Sequence, residues 1–458
     1  MYLNSVAFTN FVPFAKGSRM NFAPVDDKPD DLAEVHLLTG ENGTGKSRLL
    51  CLLAAALGDA RSLQARCRKD DTAEFAVAWR TEDSQPVMTL RLGREGLSPI
   101  GNRSDAIFKE VRNTPAFARA GVSFVEDADL SKAISENAWT EGRLIFRPSV
   151  AYTESLLNKL QDIVVAARLG ENDRLLALTD KLEAVLSEVM GKKFAFFPRN
   201  HPEKFMCVKL NGGPPLSMSQ CPDGLRSLIG WLVDAALVMD GFTKSGSPVQ
   251  QSKIDMPEKS DEVISADEAR KQAEDELGAM IDGYFVEMER ENWKEAGDVP
   301  SVILLDEIET HLHPGWQRQV LPAFQRMFPR AQIFVATHSP FVISSVNYGS
   351  VHILRRGENG VTAETHEAAK GDSYMTAVQE VLGLTGWFDA EVEKEMGDFE
   401  LLLDKAYTSN GASESEMRSR AAHFMKPENR YSEEVRNMVT NLVAQYDLNR
   451  AAAKSSKA

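Results

Sequence analysis

The sequence predicts an α/β protein with a central, mainly parallel sheet flanked by helices and an antiparallel β subdomain. Short, mainly apolar runs, typical of strands buried on both faces of a parallel sheet, occur at 35–39, 301–305 and 332–336. Alternating apolar and polar residues at 74–79 and 87–92 predict half-buried antiparallel strands. Together these two patterns favour a mixed architecture over an all-helical or all-β one.

Apolar residues at helical spacing predict a short helical arm and a helical C-terminal tail beside this sheet. A segment that begins Thr-Lys-Ser-Gly-Ser-Pro and is rich in Glu, Asp and Lys predicts an exposed insertion. The predicted segments are an N-terminal lobe with hairpins and a glycine-rich loop (1–150), a helical arm (151–200), a loop and long apolar helix (201–242), an acidic insertion (243–298), a C-terminal lobe (299–360) and a helical tail (361–458).

Composition limits the function classes. The chain has 458 residues, 43% of them hydrophobic, with a formal net charge of −15, so indiscriminate binding to phosphate backbones is disfavoured. It contains no apolar run long enough to span a membrane and no signal-peptide pattern, so we expect a cytoplasmic protein without a membrane partner. Four cysteines without a CxxC pair argue against a disulfide framework or a structural zinc site.

A phosphate-binding loop follows the first apolar strand. The loop matches the pattern GxxxxGK[ST] and lies between a predicted strand and a predicted helix, which is the context that the motif requires. Backbone N–H groups of such a loop bind phosphate, the lysine reaches the β- and γ-phosphates, and the serine is a ligand for Mg²⁺. The predicted nucleotide-binding residues are Gly40, Glu41, Asn42, Gly43, Thr44, Gly45, Lys46 and Ser47, with Ser47 also predicted to bind Mg²⁺.

Two carboxylates and a histidine complete the predicted site. The strand at 301–305 ends on Asp306, predicted to bind Mg²⁺ together with Ser47, and on Glu307, predicted to orient or deprotonate the attacking water. His338 follows the next strand, from which its imidazole could reach the γ-phosphate. Between them, His311 and His313 could form a metal pair, but Pro314 follows and no third ligand is nearby, so we favour a loop that meets another subunit.

The order of glycine-rich loop, Asp-Glu, ExxLHPxWQ and Thr-His-Ser-Pro resembles the ABC-type ATPase heads related to RecF, SMC and overcoming-lysogenization proteins. The resemblance implies ATP and Mg²⁺ as cofactors, and two heads that pair so that a signature loop of one closes over the γ-phosphate held by the other. The matching residues are Asp223, Gly224 and Arg226. Pro222 replaces the serine of the family's Leu-Ser-x-Gly pattern, so we expect weak turnover.

Several branches of this family fit poorly. The helical arm is too short for a long SMC coiled coil, and no strand-borne Glu followed by a DxD cluster, as in a Toprim nuclease, follows His338. The Asp-Gly-Leu-Arg-Ser form of the signature loop, the short arm and the helical tail resemble the Septu-type PtuA family of bacterial anti-phage ATPases, some of them retron-associated. That resemblance implies a separate effector, such as an HNH nuclease.

Three functions remain open at this stage. The first is a nucleotide-controlled regulator that forms a homo-oligomer through its heads and restrains an effector. The second is a RecF-like repair ATPase that clamps DNA, for which the candidate basic residues are Arg61, Arg66, Arg68, Lys69, Lys192 and Lys193. The third is a scaffold that holds ATP structurally. The adenine-stacking residue is also open among Phe8, Phe11 and Phe14.

Overall fold

A computed structural model describes most of the two lobes and the C-terminal helices. The described residues are 1–25, 28–64, 66, 72–81, 84–93, 96–120, 146–147, 160–161, 163–165, 167–168, 173–199, 205–243, 300–346, 348–368, 374–382, 388–408 and 413–455. The predicted acidic insertion lies almost wholly outside them. Within the chain two compact units are distinguished, Met1–Gly383 and Leu384–Ala458, and each is described by itself.

The first unit is built on a seven-stranded sheet that is parallel except at one edge. Its strands in chain order are β3 (Glu34–Gly40), β7 (Ala116–Ala120), β8 (Phe146–Arg147), β12 (Ser301–Asp306), β13 (Ala331–Ala336), β14 (Gly349–Gly357) and β15 (Gly360–Glu367). Their spatial order is β15-β14-β3-β13-β12-β7-β8. Strands β3, β12 and β13 are buried along their whole length, as their mainly apolar runs predict.

The antiparallel subdomain predicted from the alternating segments is also present. Its strands are β1 (Tyr2–Asn10), β2 (Arg19–Asn21), β4 (Ala73–Arg80), β5 (Val87–Gly93) and β6 (Gly96–Pro99), in the order β2-β1-β4-β5-β6. A third sheet joins β9 (Phe194–Arg199), β10 (Phe205–Leu210) and β11 (Leu216–Ser217). The fold is therefore the predicted α/β class, with a mainly parallel central sheet and a separate antiparallel one.

The helices described in the first unit include α1 (Lys46–Ala56), α2 (Ala60–Gln64), α3 (Asn102–Val111), α4 (Asp173–Met190), α5 (Asp223–Thr243), α6 (Pro314–Met327) and α7 (Pro340–Ile343). Helix α3 packs on β5 and β6 of the antiparallel sheet. Every residue of α1 from Leu49 onward is buried, so this helix forms the centre of one core, whereas α5 and α6 pack in the other.

A buried polar network joins the two larger sheets. The Glu34 carboxylate accepts hydrogen bonds from Arg80 (2.9 Å) and from the Gln332 amide (3.0 Å), and it lies 2.8 Å from His36 Nε2. Burial acts to raise the pKa of Glu34, but the hydrogen bond to His36 and the charge of Arg80 outweigh it and leave that pKa below its ordinary value. Because each of these groups has a partner, the network orders the strands without leaving a buried charge uncompensated.

Part of the predicted helical arm (151–200) lies outside the described residues, and the described part contains helix α4. Helix α4 carries apolar residues at the expected spacing, but Leu182, Leu186 and Val189 pack in the main core instead of on a projecting hairpin. Arg326 on α6 forms an ion pair with Glu188 at 2.9 Å. Since the apolar face of α4 is buried against the head itself, this segment is part of the head.

The predicted tail begins too early in the sequence. Residues 360–367 form β15, which pairs antiparallel with β14 along its length. The second unit contains the helices α8 (Ala390–Thr408), α9 (Glu414–Met425) and α10 (Glu433–Ser455), which share a small core that includes Phe399, Phe424 and Val439. The C-terminal region is therefore helical as predicted, but the helices follow an additional edge strand of the main sheet.

Candidate nucleotide site

The glycine-rich loop lies where β3 ends and α1 begins. Gly40 has φ of +135°, and a Cβ there would lie 2.3 Å from the carbonyl oxygen of Leu354 on the neighbouring strand. Gly45 has φ of +98°, and a Cβ there would meet the Pro13 ring at 2.8 Å. Both positions therefore require glycine, one for the exit from the sheet and the other for the first turn of the helix.

Lys46 points back into its own loop. Its ammonium donates hydrogen bonds to the carbonyls of Gly40 at 2.9 Å and Glu41 at 3.0 Å. Burial lowers the pKa of Lys46 to about 8, and the nearby carboxylates of Asp306 and Glu307 offset only part of this effect. The Lys46 ammonium can therefore exchange these carbonyl acceptors for the oxygens of a bound phosphate.

The two predicted carboxylates lie at the end of β12, which is directly beside β13 in the sheet: Asp306 is the last residue of the strand and Glu307 follows it. Asp306 is opposite Ala336 in the parallel register and is 3% exposed. Burial raises its pKa to about 6, although a hydrogen bond from the Ser47 side chain acts to lower it. A buried carboxylate in contact with a serine hydroxyl offers two oxygen donors of the kind that Mg²⁺ prefers, so these residues fit the predicted metal.

Glu307 and His338 flank these donors. Glu307 adopts φ of +53°, which is uncommon for a residue other than glycine, and its N–H donates to the Ala336 carbonyl at 2.9 Å. This turn directs the chain away from the sheet immediately after Asp306. Burial and the charge of Lys46 lower the pKa of His338, whereas Glu307 acts to raise it. At neutral pH the His338 imidazole is therefore uncharged and able to accept or donate one hydrogen bond.

One cavity of about 360 Å³ brings most of the predicted residues together. Its lining includes Lys46, Ser47, Asp306, Glu307 and His338. The other lining residues are Pro13, Asn42, Gly43, Gly45, Arg48, Arg66 and Ala336. Residues from five separate parts of the chain therefore converge on one polar site, whose volume is within the general range of small-molecule pockets.

Two arginines at the loop were not predicted to contribute to the nucleotide site. Arg66 was a candidate for a DNA-binding strip, but it lines the cavity and its charge acts to lower the pKa of Asp306. Arg356 on β14 donates to the Gly43 carbonyl at 2.9 Å. No sequence spacing relates either arginine to the glycine-rich loop, because both contacts depend on tertiary packing.

The other basic candidates are described only in part. Lys192 and Lys193 are exposed at the turn before β9, whereas Arg68, Lys69 and the side chain of Arg61 lie outside the described residues. Within the described part of the chain, the basic residues thus give no specific support to the DNA-clamping alternative.

The three phenylalanines considered for adenine stacking belong to the core. Phe8 and Phe14 stack with ring centroids 4.2 Å apart, and Phe11 lies 5.8 Å from Phe14 in a similar orientation. All three are at most 5% exposed. The residue from this region that reaches the cavity is Pro13, which lies between Phe11 and Phe14 in sequence but packs on Gly45.

The signature residues lie at the start of α5. Helix α5 begins at Asp223, one residue after Pro222, whose carbonyl accepts from the N–H groups of Leu225 and Arg226. Asp223 and Arg226 form an exposed ion pair. Of the residues that the structure describes around the cavity, none is Asp223, Gly224 or Arg226, so a single chain does not bring the signature residues to its own cavity.

His313 of the ExxLHPxWQ loop has a local structural role. His313 is the N-cap of α6, and its Nδ1 accepts from the Gly315 N–H at 3.2 Å. The described residues include no group of three or more His, Cys, Asp or Glu side chains that could hold a metal ion by themselves. None of the described helices combines the length and the apolar character needed to cross a bilayer.

Comparisons with known proteins give partial sequence matches. A family model described as "AAA domain, putative AbiEii toxin, Type IV TA system" matches residues 294–344, which contain the two carboxylates and His338. The Retron Ec83 probable ATPase of Escherichia coli is 36% identical over 61 residues, 13% of this chain and 11% of that protein. The Septu protein PtuA of Bacillus thuringiensis is 27% identical over 122 residues, 26% of this chain and 28% of that protein.

These matches are partial, since the chain covers less than a third of the length of either relative. Among solved structures, the match with an SMC head bound to the C-winged helix domain of ScpA covers 80% of this chain and 98% of that chain. The sequence identity is 12% and the TM-score is 0.46, so this likeness supports no functional inference. The segment matched by the AAA-domain model and the cavity share Asp306, Glu307 and His338. Over these partial spans the chain is similar to the Septu protein PtuA and to the retron probable ATPase.

Proposed function

We propose that this chain binds ATP with Mg²⁺ in the 360 Å³ cavity and hydrolyses it slowly when two heads pair. The observation that carries the proposal is the convergence of Lys46, Ser47, Asp306, Glu307 and His338 on that cavity. Bound Mg²⁺ would neutralise charge on the β- and γ-phosphates. Ser47 and Asp306 are the side chains that would hold it.

The remaining side chains have separate roles in this proposal. Lys46 would exchange the carbonyls of its own loop for phosphate oxygens, which keeps its ammonium charged. Glu307 would accept a hydrogen bond from the attacking water and orient it toward the γ-phosphate. The uncharged His338 imidazole would contact the γ-phosphate or the same water from the adjacent strand.

A second copy of the chain would complete the site. Asp223 and Arg226 are exposed at the start of α5, Gly224 beside Asp223 is buried, and none of the three lines the cavity of its own chain. In a paired arrangement the N-terminal amides of α5 would face the γ-phosphate held by the other copy. Because Pro222 lacks both a hydroxyl and an N–H, this contact would be weaker than one made by serine, and slow turnover follows.

The biological role that we propose is regulation of a separate effector, such as an HNH nuclease, in bacterial anti-phage defence. Support comes from the names of two relatives, a Septu protein and a retron probable ATPase. In this role, ATP-dependent pairing of the heads would be the signal and the effector would be the responding enzyme.

Phosphate release from purified protein tests the enzymatic part. Wild type should release phosphate over many turnovers, Lys46→Ala should fail to bind ATP, and Glu307→Gln should bind ATP but lose about 10²-fold or more of the rate. Glu358→Gln, at an exposed turn between β14 and β15, is the matched control and should retain the wild-type rate. Equal rates for wild type and Glu307→Gln would contradict the proposed role of Glu307.

A further inference from the structure

Two side chains connect the loop after Glu307 to the segment that carries His338. The Glu309 carboxylate accepts a hydrogen bond from the His338 backbone N–H at 2.9 Å. The Gln317 side-chain oxygen accepts one from the Ser339 hydroxyl at 2.6 Å. The loop at 307–317 therefore contacts the His338 segment from both of its ends.

The same loop is itself well ordered. The Gln317 amide donates to the Leu312 carbonyl at 2.9 Å, so this one side chain both closes the loop and accepts from Ser339. Gln317 lies in the first turn of α6, which begins at Pro314 with its fixed φ. A displacement of the loop would therefore be transmitted to Ser339 and to the adjacent His338.

The loop also packs on the signature helix of its own chain. A Cβ added to Gly224 would lie 2.7 Å from the His311 carbonyl oxygen and 3.2 Å from the Trp316 ring. The start of α5 thus contacts the loop at 307–317, and this loop contacts the His338 segment. Segments packed this closely transmit strain to one another, because dense packing leaves their side chains little room for independent displacement.

We propose that Glu309 and Gln317 are positioning residues that hold His338 at the nucleotide cavity and couple its position to the signature helix of the same chain. This inference rests on the proposed ATPase function. When α5 docks on the nucleotide of a second copy, the loop at 307–317 would transmit that docking to His338 of its own site. Each site would thereby respond to occupancy of the other.

Glu309 has this role through geometry and not as a proton acceptor. It is absent from the described lining of the cavity, and its carboxylate is directed at the His338 backbone. Burial raises its pKa, so removal of its charge is less costly than for an exposed carboxylate. Glu309→Gln keeps an oxygen that can accept from the His338 N–H, whereas Glu309→Ala removes it.

Kinetics of these variants give the first test. Glu309→Ala and Gln317→Ala should each lower kcat by about tenfold with little change in KM, because a displaced contact affects the transition state more than ATP binding. Glu309→Gln should retain most of the wild-type kcat, because its side-chain oxygen can still accept from the His338 N–H. Gln319→Ala, at an exposed position of the same helix, is the matched control and should be unchanged. Equal losses in Glu309→Gln and Glu309→Ala would indicate a chemical role and overturn the inference.

Hydrogen exchange tests the physical link without requiring turnover. In the nucleotide-free full-length chain, Glu309→Ala and Gln317→Ala should speed exchange in a peptide covering 333–341 by roughly threefold to tenfold, the effect of losing one hydrogen bond. Gly224→Ala should do the same, and Gln319→Ala should not. Unchanged exchange in the first three variants would refute the coupling. A wild type that releases no phosphate would instead refute the proposed function, while the exchange result would still decide the coupling.

Discussion

The pKa of Lys46 leads to a quantitative prediction about nucleotide binding. In the free protein burial lowers this pKa to about 8. Bound phosphates raise it, because they place negative charge beside the ammonium. Above about pH 8 the free lysine is neutral and must take up a proton when ATP binds, so affinity falls as pH rises. From about pH 7 to about pH 9, the protonated fraction falls roughly tenfold, and Kd should rise by the same factor.

Isothermal titration with a non-hydrolysable ATP analogue measures this effect directly. Titrations in buffers of different ionisation heat should show uptake of close to one proton per site at about pH 9 and little at about pH 7. Lys46→Arg is the matched control, because a guanidinium remains charged throughout this range and any residual binding should not change with pH. A wild-type Kd that stays constant to about pH 9 would refute the lowered pKa of Lys46.

Two further predictions concern contacts that no motif indicates. Arg356→Ala removes the hydrogen bond to the Gly43 carbonyl and should weaken ATP binding by about threefold to tenfold in a fluorescence titration. Arg355→Ala, which removes an exposed ion pair with Glu364, should leave the Kd for ATP unchanged. Gly224→Ala should lower the free energy of unfolding, measured in urea, by about 1–3 kcal/mol, because overpacking outweighs the gain in helix propensity. Gly397→Ala, whose added Cβ meets no atom within 4 Å, should raise that free energy by about 0.5–1 kcal/mol. A stabilised Gly224→Ala protein, or equal Kd values for the two arginine variants, would contradict these contacts.

The centre of the fold could be predicted because its signals are local. Mainly apolar runs predict β3, β12 and β13, and the glycine-rich pattern lies between a strand and a helix as the motif requires. The adjacency of β12 and β13 confirmed the expectation that His338 would follow a strand beside that of Asp306. These segments are short and strongly patterned, so tertiary contacts do not change the secondary structure that the local sequence favours.

Other features depend on tertiary context. Strand β15 is polar and mostly exposed, so it lacks the apolar alternation that identifies an edge strand, and its region was assigned to the helical tail. The spacing in α4 identified a helix but did not indicate which surface its apolar face covers. The contacts of Arg66 and Arg356 with the site, and of Glu309 with the His338 segment, join residues that are distant in sequence, and no periodicity encodes them.

The central claim is that ATP drives pairing of two heads, and the absolute mass of the purified protein tests it most directly. Glu307→Gln, which should retain ATP, is measured with and without ATP and Mg²⁺, and Lys46→Ala is the control that should not bind. The account predicts that Glu307→Gln forms dimers or larger assemblies only with nucleotide, while Lys46→Ala keeps its nucleotide-free mass. A Glu307→Gln mass that does not change when ATP binding is saturated would contradict ATP-driven pairing.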